Sequence, residues 1–497
     1  LPHGVLFRGN AEATIRTRLL KQGFIKGIIG LPANLFYGTG IPACIVILDK
    51  ENAQARTGVF MIDASKGLMK DGNKNRLRSQ DIHKIVDTFN KQIEIDRYSR
   101  MVPMSEIADP KNDYNLNIPR YIDSSEPEDL QDLSAHLHGG IPDRDLDALA
   151  PYWDAFPQLR GQLFKPNRPG YSDLTIDVSQ VQQTILDSPE FQKFAEEAKA
   201  LTIDWFTAHR DALAAIDQNT TPNDLIATIS DDLLARFTPV PLLDEYDVYE
   251  QLMTYWHAQM HDDVFLIMND GWQGAAKPRK TIEDKERKLS ETPDLVIGSG
   301  RSATKYKMDL IPPVLIVARY FADEQAKIDE LTAAAEEATR AVEEYVEEHA
   351  VEDGLLADAM DDDKISKALV AARLKAISTG GDPDEVKALQ HVTKLYNAEA
   401  AAKKAVKDAQ ADLDLATLKK YGALTEEDIQ TLVLDDKWQA TVVRRVAGEV
   451  EALTLDLVAR IQQLGERYAE TVSDLDAELA ELETKVGAHL TAMGVRS

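Results

Sequence analysis

Near the amino end, apolar residues come in short runs rather than at helical spacing. Ile28-Ile29 stops at Leu31-Pro32, Ile41–Leu48 is a longer β-branched run broken only by Pro42, and Val59–Ile62 forms a third. Runs of this length between turn residues predict buried strands. Ahead of them, residues 12–21 place Ile15, Leu19 and Leu20 on one helical face and Arg16 and Arg18 on another, with Gly23 as the stop. Residues 1–64 therefore read as the closing part of an α/β sheet, finished by an edge strand. Residues 65–121 read as a basic loop, a helix carrying Ile82, Ile85, Val86 and Phe89, and an extended connection through Asn112–Tyr121.

The pattern then changes to helices. Residues 122–321 are mixed and mainly helical, with amphipathic stretches at 178–201 and 224–236. Tyr246, Tyr249, Met253, Trp256 and Met260 recur at helical intervals, as a buried core face does. From residue 322 to 497 the chain is rich in Ala, Glu, Lys, Leu and Asp, which predicts a tail of long helices with coiled-coil character. Thr425 is placed to cap a helix start. The last helix is expected to be continuous, with a stripe through Val450, Leu453, Leu457, Ile461, Leu464, Tyr468, Val472, Leu475, Leu479, Leu482, Val486, Leu490 and Met493. So long a stripe must pack on another helix. Two partners stand open: an internal one, the helix at 398–418, and a helix of another chain.

Composition changes the picture in two ways. The chain has 497 residues, 28% charged, and a net charge of -28, which as a sum argues against nucleic acid. The distribution argues otherwise. Residues 1–120 hold 18 Lys and Arg against 12 Asp and Glu, a balance of +6, which leaves 38 against 72 in the rest, a balance of -34. One basic module is joined to an acidic remainder whose plain reading is a solvated helical surface. The single cysteine, Cys44, lies in an apolar run and excludes a disulfide framework, which suits a reducing cytoplasm. No apolar stretch is long enough for a membrane span, and no metal-ligand set stands out. Leu1-Pro2-His3-Gly4 looks like a strand end entering a loop, and we expect it to belong to the later part of a longer polypeptide.

Candidate chemistry concentrates between the strands. Phe36 and Tyr37 sit beside Gly38, Thr39 and Gly40, followed by Pro42. Two aromatics on a glycine-hinged loop suit a flat ring that must be stacked; on spacing alone the plainer reading is a hairpin whose aromatics plug a core. Lys66, Lys70, Lys74, Arg76 and Arg78 cluster around Gly72-Asn73 and could grip phosphates, or remain a solvated loop. A second basic run at Lys277–Lys280 continues at Lys285–Lys288. The sequence contains no His-Glu-x-x-His, no Gly-x-Ser-x-Gly and no Gly-x-x-x-x-Gly-Lys-[Ser/Thr].

Several ordered motifs carry a resemblance. Leu1–Gly9 (LPHGVLFRG), Glu12 with Ile15-Arg16 and Leu19-Leu20, Ile29–Pro32, Asn34–Pro42, Lys74–Leu77 with Asp81-Ile82, and Tyr114–Tyr121 (YNLNIPRY) together resemble the modification subunit of type I restriction–modification systems. Asp435–Trp438 and the final helix are similar to that family's carboxyl-terminal tail. The resemblance implies a DNA adenine-N6 methyltransferase using S-adenosylmethionine, and that the first 64 residues close a Rossmann-like methyltransferase sheet. It implies a target-base pocket at Phe36, Tyr37, Gly38, Thr39, Gly40 and Pro42, with Phe36 favoured. DNA backbone contacts are expected from Arg8, Arg16, Lys66, Lys70, Lys74, Arg76 and Arg78. The expected partners are DNA and a specificity subunit, with a restriction (translocase or nuclease) subunit as a further candidate. Docking is expected along Leu453, Leu457, Ile461, Leu464, Tyr468, Leu475, Leu479 and Leu482. The family's glycine-rich cofactor motif and its Asn-Pro-Pro-aromatic tetrapeptide do not occur here; the only adjacent prolines are Pro312-Pro313. No catalytic residue, bound cofactor or independent activity is therefore expected of this chain alone. The alternative is a non-catalytic helical assembly scaffold.

Overall fold

In the computed structural model, which describes residues 1–493 apart from 126–128, 285–288, 352–353, 362–363 and 378–379, the early apolar runs build a mixed four-stranded sheet. Its strands are β1 (Ile25–Gly30), β2 (Cys44–Leu48), β3 (Gly58–Asp63) and β6 (Ser99–Pro103), in the order β2-β1-β3-β6. β1 and β3 are parallel neighbours, with Gly27 opposite Phe60 and Gly30 opposite Asp63. β2 and β6 flank them antiparallel. Helix α1 (Asn10–Lys21) covers one face, where Leu20 packs with Ile28, Cys44, Val59 and Met61. Helix α2 (Ser79–Lys91) covers the other, where Ile85 and Phe89 pack with Ile29, Phe60 and Ile62. Between β3 and α2 lies a small hairpin, β4 (Met69–Asp71) and β5 (Lys74–Arg76).

The sheet corrects two sequence expectations. β3 is interior, not an edge: β6, which lies in the segment expected to be loop, helix and connection, pairs along its whole length, so the sheet crosses the division expected at residue 64. β2 begins at Cys44, because Pro42 has no N–H to give a ladder and its carbonyl instead accepts from His3 N at 3.0 Å.

The described residues divide into two units, Leu1–His209 with Asn223–Met260 and Val442–Ser497, and Arg210–Pro222 with His261–Thr441. The segment expected as one tail, 322–497, is thus split between them. In the first unit, helix α3 (Glu245–Tyr255) carries the expected core stripe, with Tyr246, Tyr249 and Met253 buried. It also ties to α2: Asp247 and Glu250 accept from Gln80, and Asp244 pairs with Lys84 at 2.8 Å.

In the second unit, α4 (Pro313–Tyr320) leads into α5 (Ala322–His349), which packs along α6 (Pro383–Tyr421). α6 contains the helix at 398–418 offered as internal partner of the final stripe; its partner is α5. The expected cap at Thr425 is present, with Thr425 and Asp428 bonding each other's backbone N–H. Four consecutive residues at the end of a π-helical segment (Thr431–Gln439) then bind the unit together. Asp435 pairs with Arg210 and Asp436 with Arg319, each through two bonds. Lys437 and Trp438 both reach buried Asp263, at 2.7 Å and 2.9 Å, and Lys437 also donates to the Leu310 carbonyl at 2.6 Å.

The final stripe is two helices, α7 (Ala440–Arg467) and α8 (Val472–Ala492). The break has a local cause: Thr471 and Asp474 form a capping box that starts a new helix at Val472. Leu457, Ile461, Leu464 and Tyr468 are buried, so the part of the stripe on α7 is core of its own unit. Tyr468 accepts from Asp132 N, and Arg460 and Arg467 both pair with Asp129.

Burial pushes the Asp263 carboxyl up, and Lys437 holds it back. Lys437→Met removes that restraint, so folded Asp263 takes up a proton at a pH where the unfolded carboxyl is already ionised. A carboxyl whose folded pKa is raised stabilises below its unfolded pKa and loses that contribution as pH rises through the folded value. Urea unfolding should therefore show a loss of about 3–5 kcal/mol at neutral pH, and a smaller loss near pH ~4, close to the ordinary carboxylate value. A pH-independent loss would contradict this assignment.

Candidate nucleic-acid interface

β1 and β3 run in the same direction, so the loops that follow them leave the sheet at the same end. That end, beyond the carboxyl termini of parallel strands, is where α/β sheets place their ligands. The loop after β1 is the aromatic one, 31–43; the loop after β3 contains the basic hairpin. The first loop is anchored at both ends. Leu31 is buried, Leu35 packs against the core, and Leu31 N bonds the Ala43 carbonyl at 2.9 Å. Its middle stands in solvent: Phe36 is 53% exposed and Tyr37 94%. Gly38 makes the turn possible, with φ +79°. Thr39 Oγ1 accepts from Ile41 N at 3.1 Å. Gly40 and Pro42 are exposed on the return. The aromatics do not plug the core.

The hairpin clasps this loop. Gly72-Asn73 is the two-residue connection, with Gly72 at φ +60° in the first turn position. Lys74 Nζ donates to the Phe36 carbonyl at 2.8 Å. Asn75 donates twice, from its backbone N to the Asn34 carbonyl at 3.0 Å and from Nδ2 to the Ala33 carbonyl at 2.8 Å. An ammonium is thus held against the backbone of the loop that presents the two exposed rings. Lys66, Lys70 and Arg76 are exposed, the last against the Met69 sulfur. Arg8 is exposed and 3.9 Å from Glu12.

Two expected phosphate contacts are committed elsewhere. Arg16 is buried and donates to the carbonyls of Tyr114, Val5 and Arg8 at 2.9–3.1 Å, which makes it a structural brace; this corrects the expectation of a DNA contact. Arg78 forms a two-bond pair with buried Asp81, which raises the guanidinium pKa. Nearby, burial lowers the His3 imidazole below its ordinary value against the opposing charge of Asp63. Asp63 accepts from Ser65 N and from Ser124 Oγ at 2.6 Å.

The clasp by Asn75 is the element of the candidate site that reading the sequence missed. Its trace was present: Asp71-Gly72-Asn73 between short polar runs is a hairpin signal. What the pairing would reach was not. In the second basic run, Arg279 is neutralised by Glu291 and Asp309, which hold its guanidinium well above the usual range. The Lys285–Lys288 part lies outside the described residues. Among the described residues no group of carboxylates, imidazoles and thiols forms a metal-ligand cluster, and no helix is long and apolar enough to cross a membrane.

Asn75→Ala should free the aromatic loop while leaving the sheet intact. Loss of one hydrogen bond is worth about 1 kcal/mol, so the amides of residues 35–40 should exchange about fivefold faster and those of β1 and β3 at unchanged rates. Unchanged loop exchange would remove the clasp.

Comparison with known proteins bears on this segment. Residues 1–130 match the family model of the N-6 DNA methylase. The MjaVII type I restriction enzyme methylase subunit of Methanocaldococcus jannaschii is 38% identical over 141 residues, 28% of this chain and 24% of that protein. The MpnII type I methylase subunit of Mycoplasma pneumoniae is 33% identical over 135 residues, again 24% of its length. A solved type I restriction-modification system methyltransferase subunit from Streptococcus thermophilus is 48% identical over 25% of this chain and 26% of its own, with a TM-score of 0.23. The chain spans about a quarter of the length of the curated relatives it matches. Over residues 1–130 the chain is similar to the N-6 DNA methylases, and the relatives it resembles there are type I restriction enzyme methylase subunits.

Proposed function

We propose that this chain serves S-adenosylmethionine-dependent adenine-N6 methylation of DNA in a type I restriction–modification assembly, supplying the target-base side of the site and a helical surface for a specificity subunit. The observation that carries this is a loop presenting two exposed rings, hydrogen-bonded through its backbone carbonyls to a cationic hairpin, at the carboxyl ends of two parallel strands. A base rotated out of the duplex needs a face to stack on, and the phosphates beside it need cations. Phe36, with Tyr37 beside it, stacks the adenine. Lys66, Lys70, Lys74 and Arg76 hold the backbone, with Arg8 at the periphery. Gly38, Thr39, Gly40 and Pro42 shape the loop. In this reading the sheet is the closing part of a Rossmann-like methyltransferase sheet, and the protein works in the cytoplasm.

The residues present do not fit the methyl donor. A nucleoside cofactor calls for a glycine-rich turn after a parallel strand with a carboxylate for its ribose; Asp63 at the end of β3 already accepts from Ser65 and Ser124, and the turn after it, Ala64-Ser65-Lys66-Gly67, is not glycine-rich. S-adenosylmethionine, whose sulfonium supplies the methyl group, is therefore held by residues other than these. The chain's own contribution is to stack and position the acceptor, which fixes geometry for an in-line displacement.

Two measurements test this. A duplex with adenine opposite an abasic site lets the base leave the stack cheaply. The chain should bind it at least fivefold more tightly than the matched duplex, since base–aromatic stacking is worth about 1–3 kcal/mol. Phe36→Ala should abolish that preference, while Lys70→Ala with Arg76→Ala should weaken both duplexes alike and lower the salt slope by about 2. Equal binding of the two duplexes by the unaltered chain would overturn the base-stacking role. Separately, the purified chain with methyl-labelled S-adenosylmethionine should leave DNA unlabelled, and label in the DNA would show that it methylates alone.

A further inference from the structure

The part of the final stripe that lies on α8 has no partner. Val472, Leu475, Leu479, Leu482, Val486, Leu490 and Met493 are each 41–78% exposed, and no described residue of α8 is buried. The spacing is that of a two-stranded coiled coil. With Val472 at a, the a positions are Val472, Leu479, Val486 and Met493 and the d positions Leu475, Leu482 and His489, so the strict seam runs for two heptads and Leu490, at e, carries the apolar face on from there. A helix of 21 residues with an exposed seam of this kind is contacted by its own unit mainly at its start, where Ser473 Oγ donates to the Leu137 carbonyl.

The flanks of the seam choose the occupant. In the first two heptads its e and g positions are Asp476, Glu478, Glu483 and Lys485, with apolar Leu490 and Ala492 in the third, and the one cation is already 2.7 Å from Glu481 on the same helix. A parallel second copy would set Glu478 against Glu483 of its mate on both sides, and would bring together two chains of net charge -28. We propose that α8 docks one amphipathic helix of a partner protein, with aliphatic a and d positions and lysine or arginine at e and g. This rests on the docking part of the function proposed above and is independent of its DNA part. It also narrows that part to Leu475, Leu479 and Leu482, because Leu457, Ile461, Leu464 and Tyr468 are buried at home and Leu453 is half-buried on α7 beside them.

The test uses the full chain and two synthetic three-heptad helices with Leu at a and d, one with Lys and the other with Glu at e and g. The Lys helix should bind at least tenfold more tightly than the Glu helix, by fluorescence anisotropy, and weaken as salt rises. Leu479→Glu with Leu482→Glu, both on an exposed face, should abolish binding. Because that variant is more acidic, mere attraction of a basic peptide to an acidic protein would strengthen and not vanish. Equal binding of the two helices, no binding, or a dimer in sedimentation that the same variant dissolves would overturn the proposal. Capture of a specificity subunit by the variant as well as by the unaltered chain would leave docking intact and remove α8 from it. Failure of both chains to capture it would remove the docking reading itself.

Discussion

The parallel pairing of β1 with β3 is the constraint on which the candidate interface depends. Only because Gly27–Gly30 and Phe60–Asp63 run the same way do the aromatic loop and the basic hairpin emerge at one end of the sheet. An antiparallel pair would have sent them to opposite ends, and the bonds from Lys74 and Asn75 could not form. The pairing in turn depends on close packing over β1. A side chain at Gly27 would strike the Phe89 ring of α2 and the Phe60 carbonyl, so helix and sheet approach only because none is there. Covering both faces with α1 and α2 buries the parallel strands, as such strands require. The buried strands beneath and the exposed pair of rings above then divide the labour: the sheet sets where the loop is, and three hydrogen bonds from β5 set how it is presented.

The charge distribution follows the same division. Cations near the amino end are of two kinds. Arg16 and Arg78 are spent inside, bracing the turn at Val5–Arg8 and the start of α2. Lys66, Lys70 and Arg76 point into solvent where nothing structural needs them. Exposed cations of that kind cost little and add little to stability, so what they offer is an electrostatic field at the mouth of the loop. In the second unit, by contrast, the charges at 435–438 are structural. Asp435 reaches Arg210, Asp436 reaches Arg319, and Lys437 and Trp438 converge on Asp263, whose pair with Lys437 is desolvated. Such a pair specifies one arrangement more than it stabilises, since either partner alone would be a buried uncompensated charge.

How much of this was legible depends on the range of the interaction. The strand of β1, the turn chemistry of Gly38–Gly40 and the cap at Thr425 are local, and they read off spacing and residue type. The core stripe on α3 read correctly for the same reason. β6 did not, because Ser99–Pro103 has a single strongly apolar alternation and becomes a strand only by completing the ladder of β3. Arg16 misled because a cation on a helix surface and a cation under a loop look alike in sequence; burial is decided by the Val5 carbonyl and by that of Tyr114, far along the chain. The exposure of Phe36 and Tyr37 was open in the sequence, and the clasp by Asn75 resolves why they stay out: the loop's backbone is satisfied by the hairpin, so no burial of the rings is needed to order it.

The final stripe shows where pattern stops being informative. From Leu453 to Leu490 the apolar period hardly changes, yet α7 sinks its residues among Leu174, Val178 and the segment around Asp132, while α8 leaves its own in water. Periodicity records that a face will be covered; it does not record by what. Two smaller signals do separate the halves. Thr471 with Asp474 restarts the helix, so the second half is free to leave the direction of the first. And the polar residues beside the seam differ: Arg460 and Arg467 on α7 find Asp129 at home, whereas Asp476, Glu478 and Glu483 on α8 find no cation across from them among the described residues. An apolar seam whose flanking charges are answered belongs to the core it sits on. One whose flanking charges are unanswered is shaped for a surface of the opposite sign.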